Sequence, residues 1–220
     1  MVTGDPVLID DLRDAAAVSA VWQSFVPDHV LRTLHGHDGD VPIARAERTD
    51  AVVLFADVVG FTPMSEALAQ AGSFGTEELT GILNGWFGAM ADCISRYGGD
   101  LVEFAGDAVT AVFNNERRTR RLTARRAVQC ALDMQQAVGR FRDIATRAGT
   151  FGLGMKVGLG AGSVVGTVMG DPAIRLQPVL TGEALDRAVA AEPRAHSGEV
   201  HIDGGLSEAD PAVRVLEHRG

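Results

Sequence analysis

Cysteine is scarce, long apolar runs are missing and positive charge is in deficit, and each shortage removes a class of protein. The two cysteines among 220 residues, Cys93 and Cys130, fall inside helical patterns. They are too few for a disulfide scaffold and read as small buried hydrophobes in a reducing compartment. No stretch approaches the roughly 18 apolar residues of a membrane span, and the acidic start from Met1 to Asp14 lacks a signal-peptide pattern. These absences point to a soluble, cytoplasmic protein. With 20 Lys and Arg against 29 Asp and Glu, the formal net charge of −9 argues against nucleic acid as a partner. No internal repeat or low-complexity segment occurs.

A hydrophobic content of 46% is enough to bury a real core, and the length suits a single catalytic-sized domain, since domains commonly run to roughly 100–200 residues. The apolar run Ala51 to Ala56 reads as a buried central strand that ends on Asp57. A buried strand ending on a carboxylate needs that charge neutralised, and a metal ion does this economically. About fifty positions on, the strand pair Leu101 to Ala105 and Ala108 to Phe113 turns through Gly106-Asp107. That interval suits one helical excursion and a return into the same sheet. Two aspartates on adjacent strands make a divalent-cation site of the kind that works on phosphates. Gly60 lets the backbone turn tightly after Asp57, Val58 places a carbonyl beside the carboxylate, and the amides of Val59, Gly60, Phe61 and Thr62 face outward as phosphate ligands.

The helix following Thr76 is the clearest element. Thr76 reads as its cap, Glu77 and Glu78 suit its positive end, and Leu79, Ile82, Leu83, Trp86, Phe87, Met90 and Ile94 recur at helical spacing until Gly98. These aromatics read as core. A second long helix is expected from about Thr119 to Ala148, with Leu122, Val128, Ala131, Met134, Val138 and Phe141 along one side. The alternation of strands and helices from Thr49 onward suits an α+β sandwich of the ferredoxin-like kind.

The motifs Phe55-Ala56-Asp57-Val58-Val59-Gly60-Phe61-Thr62 and Phe104-Ala105-Gly106-Asp107-Ala108, in this order, resemble the catalytic domain of class III nucleotidyl cyclases, the adenylyl and guanylyl cyclases. The likeness includes Gly75-Thr76-Glu77-Glu78-Leu79, Gly98-Gly99-Asp100, Met155-Lys156-Val157-Gly158-Leu159-Gly160-Ala161-Gly162 and Leu180-Thr181-Gly182-Glu183-Ala184-Leu185-Asp186. It runs from about Thr49 to Asp203 and is strongest toward the first catalytic half of soluble, bicarbonate-regulated adenylyl cyclase. The resemblance implies Asp57 and Asp107 as catalytic residues that hold two Mg²⁺ or Mn²⁺ ions with the Val58 carbonyl. One ion activates the ribose 3′-hydroxyl and the other holds the triphosphate as cyclic AMP forms from ATP; the residues leave GTP open as an alternative. Gly98-Gly99-Asp100-Leu101-Val102-Glu103-Phe104 also looks like the Gly-Gly-Asp-Glu-Phe signature of diguanylate cyclases, but two residues interrupt it. Asp100 is better read as closing the turn between helix and strand.

Four positions depart from the homodimeric cyclase pattern. Where the resemblance expects a base-recognising lysine, this chain has Glu103; the base-pairing acid or threonine is Val179, the ribose-orienting asparagine is Asp186, and the transition-state arginine is Ala190. The soluble-cyclase lysine and arginine that bind bicarbonate are matched by Glu103 and Val189, which speaks against that regulation. The family builds each site across a dimer interface. The expectation is therefore a metal-donating half that needs a complementary half, in cis or trans. The alternative is a degenerate regulatory module without turnover. Two identical copies would oppose Glu103 and Asp186 acids across the interface and pair weakly, with the small-residue run Gly160-Ala161-Gly162-Ser163 allowing close backbone approach there.

Residues 1–45 read as an N-terminal helical leader, with a short helix from Ala15 to Phe25 and a solvated loop from His35 to Asp40, and residues 46–220 as the catalytic domain. The strand-like Val213 to Leu216 followed at once by His218-Arg219-Gly220 looks like a piece of a longer protein. Arg117, Arg118, Arg120, Arg121, Arg125 and Arg126 form a basic island at a helix N-terminus, where they oppose the macrodipole. It reads as a solvated face, or as a contact for an acidic partner surface.

Overall fold

The computed structural model describes residues 46–115, 119–171 and 175–209. The expectations for the leader, for Arg117 and Arg118 and for the C-terminal segment lie outside these residues. The chain divides into two compact units, Ala46–Gly166 with Val179–Gly220, and Met1–Arg45 with Thr167–Pro178.

The central strand β1, Glu47–Val59, pairs antiparallel with β3, Ala108–Asn114, on one side and with β6, Gly154–Asp171, on the other. β2, Asp100–Ala105, and β7, Arg175–Thr181, complete the order β2-β3-β1-β6-β7, and β8, Val200–Ile202, joins β6 in parallel. Four helices flank the sheet: α1, Phe61–Gln70; α2, Ser73–Arg96; α3, Arg120–Val138; and α4, Glu183–Ala191. A short α5, Gly204–Ala209, follows β8. With β6 as the fourth strand, the order of β2, β3, β1 and β6 is the ferredoxin-like α+β arrangement expected from the sequence.

Strand periodicity sends alternate β1 residues to opposite faces. Val52, Leu54, Ala56 and Val58 enter the main core with Met64 and Leu68 of α1, Trp86, Met90 and Ile94 of α2, and Ala127, Ala131 and Met134 of α3. Ala51 and Val53 turn the other way, onto Ala184 and Ala188 of α4. β1 is thus apolar on both faces because both are covered, which is why its sequence reads as a continuous run. Trp86 is fully buried and meets Phe141 edge-on at 5.2 Å. Both cysteines are buried free thiols, and burial pushes Cys130 up to about 12, which leaves it unreactive.

Three helix expectations are corrected. α2 begins at Ser73 with Gly72 as its cap, and Thr76 lies inside the first turn, its hydroxyl donating to the Gly72 carbonyl at 3.3 Å. The start moves forward because a side chain at Gly75 would strike the Leu68 carbonyl of α1, so only glycine lets this turn lie against the end of that helix. α3 is capped by Thr119, whose hydroxyl accepts from the Leu122 N–H at 3.4 Å. It ends at Val138, however, and passes through a 3-10 turn, Gly139–Phe141, into the hairpin β4, Ile144–Thr146, and β5, Gly149–Phe151. Phe141 stays packed against the core through that turn, so apolar spacing alone extended the helix too far. Leu122, placed on the core side by spacing, is 43% exposed.

The glycines of β6 serve the fold itself. Gly158, Gly160 and Gly162 share one face, and α4 lies directly on them: a methyl group at Gly160 would sit 2.5 Å from the Ala188 N and 2.8 Å from the Arg187 Cβ. The close approach expected of this run between two chains is thus used within one chain. We expect Gly160→Val to force α4 off the sheet and to destabilise the domain by about 1–3 kcal/mol, the usual cost of overpacking, measurable as a lower denaturation midpoint. An unchanged midpoint would show that the contact is loose.

Candidate active site

Asp57 lies near the end of β1, where its neighbours in register are Ala108 on β3 and Lys156 on β6. The pairing of Ala105 with Ala108 closes the β2-β3 hairpin through a two-residue loop, Gly106-Asp107, with Gly106 at φ 66. Positive φ at this position matches the right-handed twist of the strands. Asp107 therefore stands beside the residue paired with Asp57, and the two carboxylates expected to act together are brought to one end of the sheet.

Their proximity shows in the electrostatics. Burial, then the negative charges of Asp107 and Glu192, push the Asp57 carboxyl above the ordinary aspartate range; Lys156 and the Val58 N–H only partly offset them. Among the described residues no three His, Cys, Asp or Glu side chains gather as a ready-made metal cage, but two carboxylates with hard oxygen donors suit Mg²⁺ or Mn²⁺ when backbone carbonyls, water or phosphate oxygens complete the ligand set.

Next to Asp57, Gly60 caps α1 with φ 90. A side chain there would run into the Gly152 carbonyl, so both backbone conformation and space require glycine. The expected phosphate-binding turn is thus the junction of β1 with α1: Val59 ends the strand, and Phe61 and Thr62 open the helix. First-turn amides have no intrahelical acceptors and carry the positive end of the helix dipole, which favours phosphate oxygens.

Two charged residues join this group that the sequence did not single out. Lys156 lies opposite Asp57, and its ammonium meets the buried Glu192 carboxylate at 2.5 Å. That hydrogen bond and the negative charge of Glu192, aided by Asp57, hold Lys156 above the usual lysine range against the opposing effect of burial. Lys156 was present in the glycine-rich string, but only the β1-β6 register puts it beside Asp57. Glu192 follows α4 in a 3-10 turn, Glu192–Arg194, and carried no signal in the sequence.

The departing positions lie elsewhere. Glu103 is exposed on β2, opposite Thr110. Val179 belongs to β7, at the other end of the strand order. Asp186, Val189 and Ala190 fall at helical spacing on the exposed side of α4, while Ala184 and Ala188 face the sheet. The strand order keeps Glu103 and Val179 apart within one chain. Asp100 is the first residue of β2, and its carboxylate accepts from Asn114 at 3.2 Å.

A profile of the adenylate and guanylate cyclase catalytic domain matches residues 44–209. The chain belongs to this family. An adenylate cyclase type 10 from Oryctolagus cuniculus is 32% identical over 155 residues, a segment that covers 69% of this chain and 9% of that protein. The cyclase domain described here therefore spans about a tenth of the length of such relatives. The crystal structure of the guanylyl cyclase Cya2 superposes with a TM-score of 0.63 at 30% identity, covering 74% of this chain and 79% of the other. The adenylyl cyclase CyaB from P. aeruginosa, at 23% identity, shares the fold with a TM-score of 0.65 over 77% of this chain and 84% of the other. Among the described residues of the cyclase domain no helix is long and apolar enough to cross a membrane.

The raised Asp57 value fixes the sign of a pH effect. Asp57 holds a proton to higher pH in the folded than in the unfolded chain, so its stabilising contribution is fullest below the ordinary carboxylate range and is lost as pH rises through the raised folded value. In metal-free buffer, Asp57→Asn should melt higher than the wild type at neutral pH, and the gap should shrink as pH falls into the carboxylate range. A lower melting temperature for Asp57→Asn at neutral pH would contradict the crowding of carboxylates.

Proposed function

We propose that this domain is the metal-donating half of an adenylate cyclase site, converting ATP to 3′,5′-cyclic AMP and pyrophosphate with a complementary half supplied in cis or trans. The observation that carries this reading is the convergence of Asp57 and Asp107 at the end of β1, next to the amides that open α1. Asp57, Asp107 and the Val58 carbonyl would hold two Mg²⁺ or Mn²⁺ ions. When bound, these supply Lewis-acid activation of the ribose 3′-hydroxyl and neutralise charge on the triphosphate. The amides at Val59, Gly60, Phe61 and Thr62 bind phosphate oxygens, and Lys156 adds a cation beside Asp57 once a triphosphate competes with Glu192 for its ammonium.

The same chain offers little to the base, the ribose or the transition state. Glu103, Asp186 and Ala190 supply neither the lysine, the asparagine nor the arginine that the family's second partner contributes. Loss of one positioned donor at a reacting centre costs about 10²–10³ in rate, and loss of an arginine acting on a transferring phosphoryl group costs as much or more. The chain alone therefore turns over at trace rates. ATP is the favoured substrate because the adenylate cyclase type 10 likeness extends over most of the domain; the base-reading residues of the partner decide between ATP and GTP. The exposed acids at Glu103 and Asp186 favour one second reading, a regulatory module that binds metal, nucleotide or a partner without turnover.

Complementation separates the two readings. A second copy carrying Glu103→Lys, Asp186→Asn, Ala190→Arg and Asp107→Ala regains the lysine, the asparagine and the arginine but has no metal pair, so it should be inactive alone. Mixed with the wild type in Mn²⁺ and ATP, it should form cyclic AMP at least about 10²-fold faster than either protein alone. A mixture no faster than the wild type would favour the regulatory module. Metal dependence has its own check: calorimetric titration of Mn²⁺ with a non-hydrolysable ATP analogue should give heat with the wild type and little with Asp57→Ala, and equal heats would remove Asp57 from the site.

A further inference from the structure

A cavity of about 340 Å³ lies at the other end of β1, between the start of that strand, the middle of β6 and the first turns of α3 and α4. It flanks Ala51, six residues before Asp57, about 20 Å away at the usual strand rise. This is where one arginine of the basic island ends up. Arg120, the first residue of α3, lines the cavity with Arg48 of β1 and Arg187 of α4. Three guanidinium groups from three elements thus meet around one hollow in a protein of net charge −9.

The three arginines are held to different degrees. Arg187 is fixed in the wall: it donates to the Ala161 carbonyl at 2.7 Å, pairs with Glu183 at 2.7 Å and lies 3.6 Å from Asp203. Arg120 pairs with Asp50 at 2.6 Å, but both side chains are half or more exposed, and ion pairs of that kind contribute little. Arg48 touches only a neutral group, the Ser163 hydroxyl at 3.1 Å, and has no carboxylate partner among the described residues. A guanidinium has five N–H donors, so each of the three keeps donors to spare.

Two further observations point the same way. The Asn115 side-chain oxygen is buried at the cavity wall without a hydrogen-bond partner among the described residues. Its amide can present either oxygen or nitrogen to whatever enters. Also, α3 and α4 both begin at this wall, so the positive ends of two helix dipoles add to the arginines. Asp50, Glu183 and Asp203 offset much of the positive charge on Arg120 and Arg187, which leaves Arg48 as the arginine without a carboxylate partner among the described residues.

We propose that this cavity is a phosphate-group site, separate from the cyclase centre, in which Arg48 and Arg120 bind the oxyanion between the fixed Arg187 and Asn115. Its volume falls at the lower end of small-molecule pockets, which run from about 300 Å³. That is room for a small phosphomonoester as well as for inorganic phosphate. Arg48 supplies the decisive charge, because it gives up no ion pair to a described residue on binding.

Metal-free titrations of the wild type with inorganic phosphate and, separately, with glycerol phosphate test this by NMR. The expected result is saturable shifts of the Ala51, Gly162 and Ser163 amides with at least one of the two ligands; tighter binding of the ester would identify a phosphorylated metabolite as the natural occupant, and tighter binding of the ion would identify free phosphate. Arg48→Ala, an exposed substitution that breaks one hydrogen bond, should weaken the binding at least tenfold with no loss of melting temperature. Arg120→Ala should weaken it less, and Lys156→Ala at the cyclase end should leave it in place. Absence of saturable shifts with both ligands, or affinity unchanged in both arginine variants, would overturn the proposal.

Discussion

The strand β1 constrains everything else in this domain. It hydrogen-bonds on both edges, is covered on both faces, and still carries a carboxylate two residues before its end at Val59. Burying its apolar residues holds the helices to the sheet. Because β3 and β6 are locked to it in register, the same burial determines which residues surround Asp57. A slip of one residue in either pairing would turn Asp107 or Lys156 away from that end and would also send a row of core side chains to the wrong face. Stability and site geometry therefore depend on one set of contacts.

That shared dependence explains the chemistry at the end of the strand. Asp57 is held above the ordinary range by burial and by neighbouring acids, an arrangement that costs stability in the empty protein and suits a divalent cation. Lys156 and Glu192 add a close ion pair beside it. The outward side of α4 carries Asp186, Val189 and Ala190, all exposed. On the proposed reading, the domain would supply one half of a shared centre and a complementary half the rest.

Glycine shows how one residue type serves different physical needs. Gly60 and Gly106 are needed for backbone conformation, as positive φ at a strand-helix junction and in a two-residue hairpin. Gly158, Gly160 and Gly162 are needed for space, because α4 lies where their side chains would be. The second group could not be assigned from sequence, since a small-residue run permits close approach without saying what approaches. Its placement against the chain's own helix removes one expected basis for self-pairing.

The sequence by itself determined the local elements and the family to which the chain belongs. The apolar run before Asp57, the Gly106-Asp107 turn and the spacing through Trp86, Met90 and Ile94 each depend on a few neighbouring residues, and each stands where it was expected. Helix ends were less legible. Gly75 brought the start of α2 forward through a contact with α1, and Phe141 kept its core position after α3 had stopped, so tertiary contacts outweighed caps and periodicity. Only the tertiary structure decided which strands flank β1, and therefore that Lys156 and Glu192 stand beside Asp57 and that Arg48, Arg120 and Arg187 meet at the opposite end. The physical reason is that strand pairing joins residues from about fifty to more than a hundred positions apart through backbone hydrogen bonds that are alike for nearly every side chain. Register is then set by the burial of whole faces, which no local string of residues records.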